Sequence, residues 1–209
     1  MRGVLGVLAM PVGMPHHGAM EQLAQLLKSY QPELYAEQTN AFLCQHLLQT
    51  QGERSLYRDN FSPGHLTGSA WVVNPSFSRT LLIHHPKLDI WIQPGGHADG
   101  NPNLLEVAMR ELEEESGYTT AQPLNSHIFD IDVHLYPERV KNGTVEPAHL
   151  HHDVRFSLIV DDTHPIPGSE ENQTLAWLTL EEAARLTPAD NSVQRMLAKT
   201  RALQGQSAA

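Results

Sequence analysis

Glu111, Glu114 and Glu115 crowd together in the stretch GGHADGNPNLLEVAMRELEEESGY, from Gly95 to Tyr118, next to Arg110 and behind two adjacent glycines. On a helix, at about 100° per residue, the three fall within one arc together with Leu104 and Val107. Leu105, Met109 and Leu112 form a neighbouring apolar stripe, and Glu106, Arg110 and Glu113 lie round the other side. Like charges four residues apart cost a helix roughly 0.2–0.5 kcal/mol, and more where water is partly excluded. Glu111 and Glu115 are such a pair, without a lysine beside them. A hard dication would turn that repulsion into binding, because Mg²⁺ and Mn²⁺ prefer oxygen ligands and coordinate one or two carboxylates while keeping waters. The competing reading is a plain solvated acidic face.

Carboxylates can act together only if the element carrying them starts and stops in the right place. Asn101 is the expected N-cap, Pro102 the expected first helical residue, and Gly117 the expected terminator. Upstream, Leu23, Leu26, Leu27 and Tyr30 recur at helical spacing up to Pro32, and a second helical segment runs from about Glu33 to Gln49 before Gly52. The texture then changes. HLTGSAWVVN, RTLLIHH and DIWIQP read as strands broken by prolines and glycines, as do HIFDIDVHLY, HLHHDVRFSLIV and TLAWLTL, before a closing helix near Asn191–Leu203. The fold class expected is α/β in the α+β sense, a mixed sheet sandwiched between helices. Its expected organisation is a disordered leader over 1–19, an N-terminal helical extension over 20–60 and one main domain over 61–209.

Composition bounds the partners. The chain has 209 residues and a formal net charge of -10, which argues against non-specific binding to nucleic acid or to anionic membranes. The apolar run near the N-terminus is far shorter than the roughly 20 residues a bilayer needs. The single cysteine, Cys44, excludes an intramolecular disulfide and a thiolate zinc cluster, and a reducing cytoplasm fits.

The Gly95–Tyr118 stretch resembles the Nudix box, commonly written G-x5-E-x7-R-E-U-x-E-E-x-G-U with U a bulky aliphatic. Gly96, Arg110, Glu111, Leu112, Glu114, Glu115 and Gly117 match at the right spacing, with Tyr118 at the last position. One departure stands out: the first glutamate of the pattern falls on Pro102. The resemblance implies a Nudix-type fold and a hydrolase that cleaves a diphosphate linkage in a nucleoside diphosphate derivative or similar small molecule, using Mg²⁺ or Mn²⁺. It implies Glu111, Glu114 and Glu115 as metal ligands with the Gly96 carbonyl, and Arg110 as the group that orients the glutamates. Pro102 cannot accept a proton, so Glu111 is the preferred general base, with Asp99 and Glu146 behind it. The helical extension could cap the sheet or mediate a homodimer.

A second constellation lies on two strands. Asp130, Asp132 and His134 alternate along one, and His149, His151 and Asp153 along another, so each set shares a face. These faces could line a cleft that binds substrate phosphate or a second metal through neutral imidazole, or they could be ordinary polar surface. Asp132, His134, His149 and His151 are therefore candidate substrate contacts, with His97 and Asp99 in the box loop. Trp71, Trp91 and Phe129 are candidates for base stacking, and Lys87, Arg139 and Lys141 for phosphate, while Arg155 reads equally as a paired structural arginine. Two alternatives remain: a ligand-binding sensor, which Pro102 favours, and isomerisation of an allylic diphosphate, which the GGH triplet loosely resembles.

Overall fold

The computed structural model describes residues 16–85, 89–141, 143–168 and 174–207. Two helices come first, α1 (His16–Ser29) and α2 (Tyr35–Gln51), followed by a 3-10 turn over Gly52–Leu56. Strands β1 (His65–Val73), β2 (Arg79–His85), β3 (Ile90–Ile92) and β4 (Gly95–His97) lead into α3 (Leu104–Ser116). After it come β5 (Gln122–Pro123), β6 (Asp130–Tyr136), β7 (Arg139–Lys141), β8 (Thr144–Glu146), β9 (His149–Ile159), β10 (Thr174–Thr179), α4 (Leu180–Leu186) and α5 (Asn191–Ser207). Of the expected leader, residues 1–15 lie outside the described part, and residues 16–19 already belong to α1. Among the described residues, no helix is long and apolar enough to cross a membrane.

The sheet is mixed, as expected. Its path runs β10-β2-β1-β9-β5, with β3 on β2, β4 on β1 and β6 on β9, while β7 and β8 form a separate hairpin. β1 lies parallel to β9 over its whole length, from His65 opposite His151 to Val73 opposite Ile159. Its other edge is shared, with β4 pairing at Thr67–Ser69 and β2 at Val72–Val73. That shared edge sets β4, a strand of three residues, beside the sheet's central strand.

Alternation along β1 sends its side chains to two cores. Leu66, Ala70 and Val72 join Leu104, Val107 and Leu112 of α3 and Leu27, Cys44 and Leu47 of α1 and α2. Trp71 and Val73 join Leu180, Val193, Met196 and Leu197 of α4 and α5. α3 lies so close to β1 that a Cβ on Gly68 would meet the Leu104 carbonyl oxygen at 2.7 Å. The sheet is thus covered on both faces, which is what sandwiching between helices requires.

Between the apolar patches runs a buried ion network. Arg155 donates from Nε to Asp153 at 2.7 Å and from Nη1 to Asp130 at 3.3 Å. Arg195 of α5 grips Asp130 with two bonds of 2.7 Å, and Lys199 reaches Asp130 at 3.0 Å and also Glu37 of α2. Asp153 accepts further from Thr67 at 2.9 Å, Ser69 at 2.7 Å and Gln93 at 3.2 Å. Arg155 is therefore the paired structural arginine, and its three neighbouring carboxylates outweigh burial to hold its pKa above the usual value. Deleting one partner of a buried ion pair strands its counter-charge, at a cost of about 3–5 kcal/mol. Arg155→Leu should lower unfolding free energy in urea by that order; a loss below about 1 kcal/mol would mean that the network carries no more weight than a surface pair.

Candidate functional site

The box helix begins two residues later than the sequence suggests. Asn101 does not cap it: its Oδ1 accepts from the backbone N–H of Asn103 at 2.9 Å, an Asx turn around Pro102. Asn103, at φ −85° and ψ 84°, is the cap, and its side chain accepts from Glu106 N–H at 3.4 Å. Pro102 is therefore in the loop before α3 and not its first residue. At the other end Gly117, at φ 76°, donates to the Glu113 carbonyl and closes the helix as expected.

With those ends fixed, two of the three glutamates turn toward β4. Gly96 has no Cβ, and an added one would lie 2.3 Å from Glu111 Oε2, so the carboxylate occupies the space a side chain would fill. Glu115 accepts from the Gly95 backbone N–H at 2.9 Å. Arg110 is the local cation, donating from Nη2 to Glu111 at 2.7 Å and to the His97 carbonyl at 3.0 Å. Its Nε stands 3.7 Å from Glu114. The Glu111 side chain is 16% exposed and that of Glu114 59%. Glu111 is thus inside, Glu114 is at the mouth, and the acidic arc faces both a glycine backbone and solvent.

Electrostatics separate the carboxylates further. Burial raises the pKa of Glu111, and the repulsion of Glu114 and Asp99 adds to it, against the opposing effect of Arg110. Asp99 goes the other way, because its ion pair with Arg58 outweighs burial. Glu146 is likewise held low, its pair with Arg139 prevailing over burial. Of the three candidate bases, only Glu111 has its proton affinity raised.

The second constellation divides. Asp130, Asp132 and Asp153 belong to the ion network described above. Burial opposes the charge of Asp132, but His134, Arg155 and Arg195 hold its pKa below the carboxylate range. The histidines go elsewhere. His134 and His151 face each other across β6 and β9, and His151 lies opposite His65 of β1. His97 of β4 joins them, with ring centroids 5.1 Å from His65 and 5.3 Å from His151. Burial lowers the pKa of His97 and of His65 to about 4, and that of His151 further still, so all three are neutral at neutral pH.

His65 and Arg58 escaped the sequence reading. His65 had a signal, since His65, Thr67 and Ser69 alternate with Leu66, Gly68 and Ala70; Arg58, which reaches Asp99 from 41 positions away, had none. Trp71 is core and donates to Thr200 at 2.8 Å, so no base stacks there. Trp91 packs on His84, and Phe129 lies under the Lys199 ammonium. Arg139 is engaged by Tyr136 and Glu146, and Lys87 lies outside the described residues. A concavity of about 670 Å³ opens among α1, α2, the β5–β6 loop and α5, lined by Tyr30, Phe129, Arg195 and Lys199. None of the box glutamates borders it, so it is separate from this site.

The sheet, the strand–loop–helix of Gly95–Tyr118 and the placing of its carboxylates come together in one unit. The NUDIX domain family model matches residues 65–199, more than half of the chain, and the chain belongs to that family. Among known proteins it is similar to the m7GpppN-mRNA hydrolase NUDT17 of Xenopus laevis, 29% identical over a 137-residue alignment that covers 60% of this chain and 45% of that protein. The asymmetrical bis(5'-nucleosyl)-tetraphosphatase of Rattus norvegicus is 34% identical over 104 residues, 50% of this chain and 62% of that protein. The matches thus span about half the length of these curated relatives. A C. elegans Ap4A hydrolase, solved as a binary complex, shares the fold at a TM-score of 0.50 and 18% identity, covering 68% of this chain and 98% of that one.

Because Arg110 is the cation nearest Glu111, Arg110→Gln should move the Glu111 pKa further upward. A ¹³C carboxyl titration without divalent ions reads this directly, and an unchanged or lowered value would show that the counter-charge comes from elsewhere.

Proposed function

We propose that this chain is a divalent-metal-dependent hydrolase of a phosphoanhydride bond in a nucleoside diphosphate derivative or similar small molecule. One observation carries the reading: two carboxylates of one helix turned against a glycine backbone that leaves room for them, Glu111 inside with raised proton affinity and Glu115 on the Gly95 N–H. Burial, the main cause of the raised Glu111 pKa, disfavours its charge, and a hard dication is the partner that oxygen ligands suit. Glu111, Glu114, Glu115 and the Gly96 carbonyl would hold it. What Mg²⁺ or Mn²⁺ supplies when bound is neutralisation of diphosphate oxygens and a more acidic water.

The chain's own groups do the rest. Arg110 fixes Glu111 by a 2.7 Å bond while tying the helix to the His97 carbonyl. Glu111 is the group suited to accept the proton of the attacking water, since Asp99 and Glu146 are held as ions by arginines. Phosphoryl transfer is mainly positioning and charge stabilisation, so a proline at position 102 is compatible with activity. Of the candidate substrate contacts, Asp99 of the box loop lies near enough to Glu111 to raise its proton affinity, whereas Asp132 is taken up by Arg155 and Arg195, and His97, His134, His149 and His151 lie on the opposite face of the sheet. The named substrates of the relatives bridge nucleosides or caps through polyphosphate, which makes dinucleoside polyphosphates and capped nucleotides the first compounds to try. A homodimer and a cytoplasmic setting belong to the same proposal. The isomerase alternative gains no support from the chain's single thiol, for Cys44 is fully buried and burial pushes its pKa up.

Incubating the purified protein with Mg²⁺ or Mn²⁺ and a panel of nucleoside triphosphates, dinucleoside polyphosphates, capped nucleotides, nucleotide sugars and coenzyme A should release phosphate or a nucleotide from one class. Binding without turnover would instead favour the sensor. Glu115→Gln should reduce kcat by roughly 10²-fold or more, the scale of losing one transition-state charge contact; wild-type turnover in that variant would refute the ligand assignment. Gly96→Ala should push Glu111 aside and weaken Mn²⁺ binding about 10–100-fold with little change in Tm, measurable by electron paramagnetic resonance.

A further inference from the structure

We propose that His65, His97 and His151 form a second metal site, one for a zinc-class transition ion, on the face of the sheet opposite the box helix. Among the described residues these three are the group whose ligand atoms all lie within 4.8 Å of one another. A tetrahedral ion with Zn–N bonds of about 2.0–2.1 Å needs its donors roughly 3.4 Å apart, so small ring rotations close the set. Imidazole nitrogen suits zinc, copper and nickel, whereas the box glutamates suit Mg²⁺ or Mn²⁺. The inference goes beyond the hydrolase reading and does not depend on it.

Backbone alternation keeps the two sites apart. Gly96 faces Glu111, so its neighbour His97 faces the other way, paired across from Thr67. β1 brings His65 and β9 brings His151, in direct register. Three adjacent strands thus each contribute one imidazole to the same patch.

Two further observations point to a ligand. Nε2 of His65 and Nε2 of His97 are buried and meet no hydrogen-bond partner, although buried polar atoms are rarely left so. The Asn60 carbonyl, 3.4 Å from His65 Nδ1, can only accept, so Nδ1 carries the proton and Nε2 the free lone pair. This carbonyl–histidine arrangement is the one that orients metal-bound imidazoles. His149 borders the cluster: its Nδ1 donates to the Pro147 carbonyl at 2.7 Å, so its Nε2 accepts from His151 Nε2 at 3.1 Å, a bond that an ion taken through His151 Nε2 would replace. Glu146 stands 3.9 Å from His149 Nε2 and sets a carboxylate beside an otherwise uncharged set of ligands. Three imidazoles leave the fourth tetrahedral position for water or a substrate atom.

The test uses full-length, tag-free, chelator-stripped protein with millimolar Mg²⁺ present, titrated with Co²⁺ and then Zn²⁺. One Co²⁺ per chain should bind with the intense visible absorption of a tetrahedral nitrogen site, and Zn²⁺ should bleach it. His97→Gln and His151→Gln, at the two less buried positions, should weaken binding by more than about tenfold while keeping the wild-type circular dichroism melt. The double variant Glu111→Gln with Glu115→Gln should retain the absorption. No saturable Co²⁺ binding, a weak octahedral spectrum, indifference to both histidine substitutions or loss in the glutamate variant would each overturn the site. Since the readout is absorption and not turnover, failure here leaves the hydrolase proposal to be judged by its own assay.

Discussion

The close approach of Gly96 to Glu111 is the contact from which the site follows. A carboxylate can lie against a strand backbone only where no side chain intervenes, and an added Cβ there would sit 2.3 Å from its oxygen. That contact holds α3 against β4, lets Arg110 bridge from the helix to the His97 carbonyl, and leaves the acidic arc between backbone and solvent. It also fixes the sense of β4. With Gly96 turned to the helix, His97 has to face the other side of the sheet.

Charge is managed differently on the two sides of that strand. Toward the helix, Glu111 is left undercompensated by a single guanidinium, and its pKa rises through burial. Toward the other face, the network of Arg155, Arg195 and Lys199 with Asp130, Asp132, Asp153 and Glu37 pairs nearly every ion. The box arc thus sets one arginine against three glutamates, whereas the network sets three cations against four carboxylates. Ion pairs shared among several partners hold elements in register, whereas three carboxylates around one guanidinium leave room for a cation.

Much of this could be read directly from residue types and spacing. The strand runs and the closing helix follow from apolar patterning, and the terminating Gly117 from its place in the sequence. Arg110, Glu111, Glu114 and Glu115 were legible because helical spacing gathers them locally. The N-cap was misplaced because Asn101 and Asn103 are equally good caps, and only the Asx turn across Pro102 chooses between them. The three-residue β4 and the β7–β8 hairpin were missed, being too short for any periodicity to show.

What the amino-acid order determined by itself was local: which segments are helical or extended, and that one helix carries carboxylates on a shared arc. Which of those carboxylates is buried, which base candidates are tied up by arginines, and how the histidines group were decided only in three dimensions. Asp132 and His151 look alike as polar residues of alternating strands, yet one is pinned in an ion network and the other meets His65 and His97. The reason is register. Pairing β1 with β9 on one side and β4 on the other joins residues dozens of positions apart, and no local pattern encodes which of them will face each other.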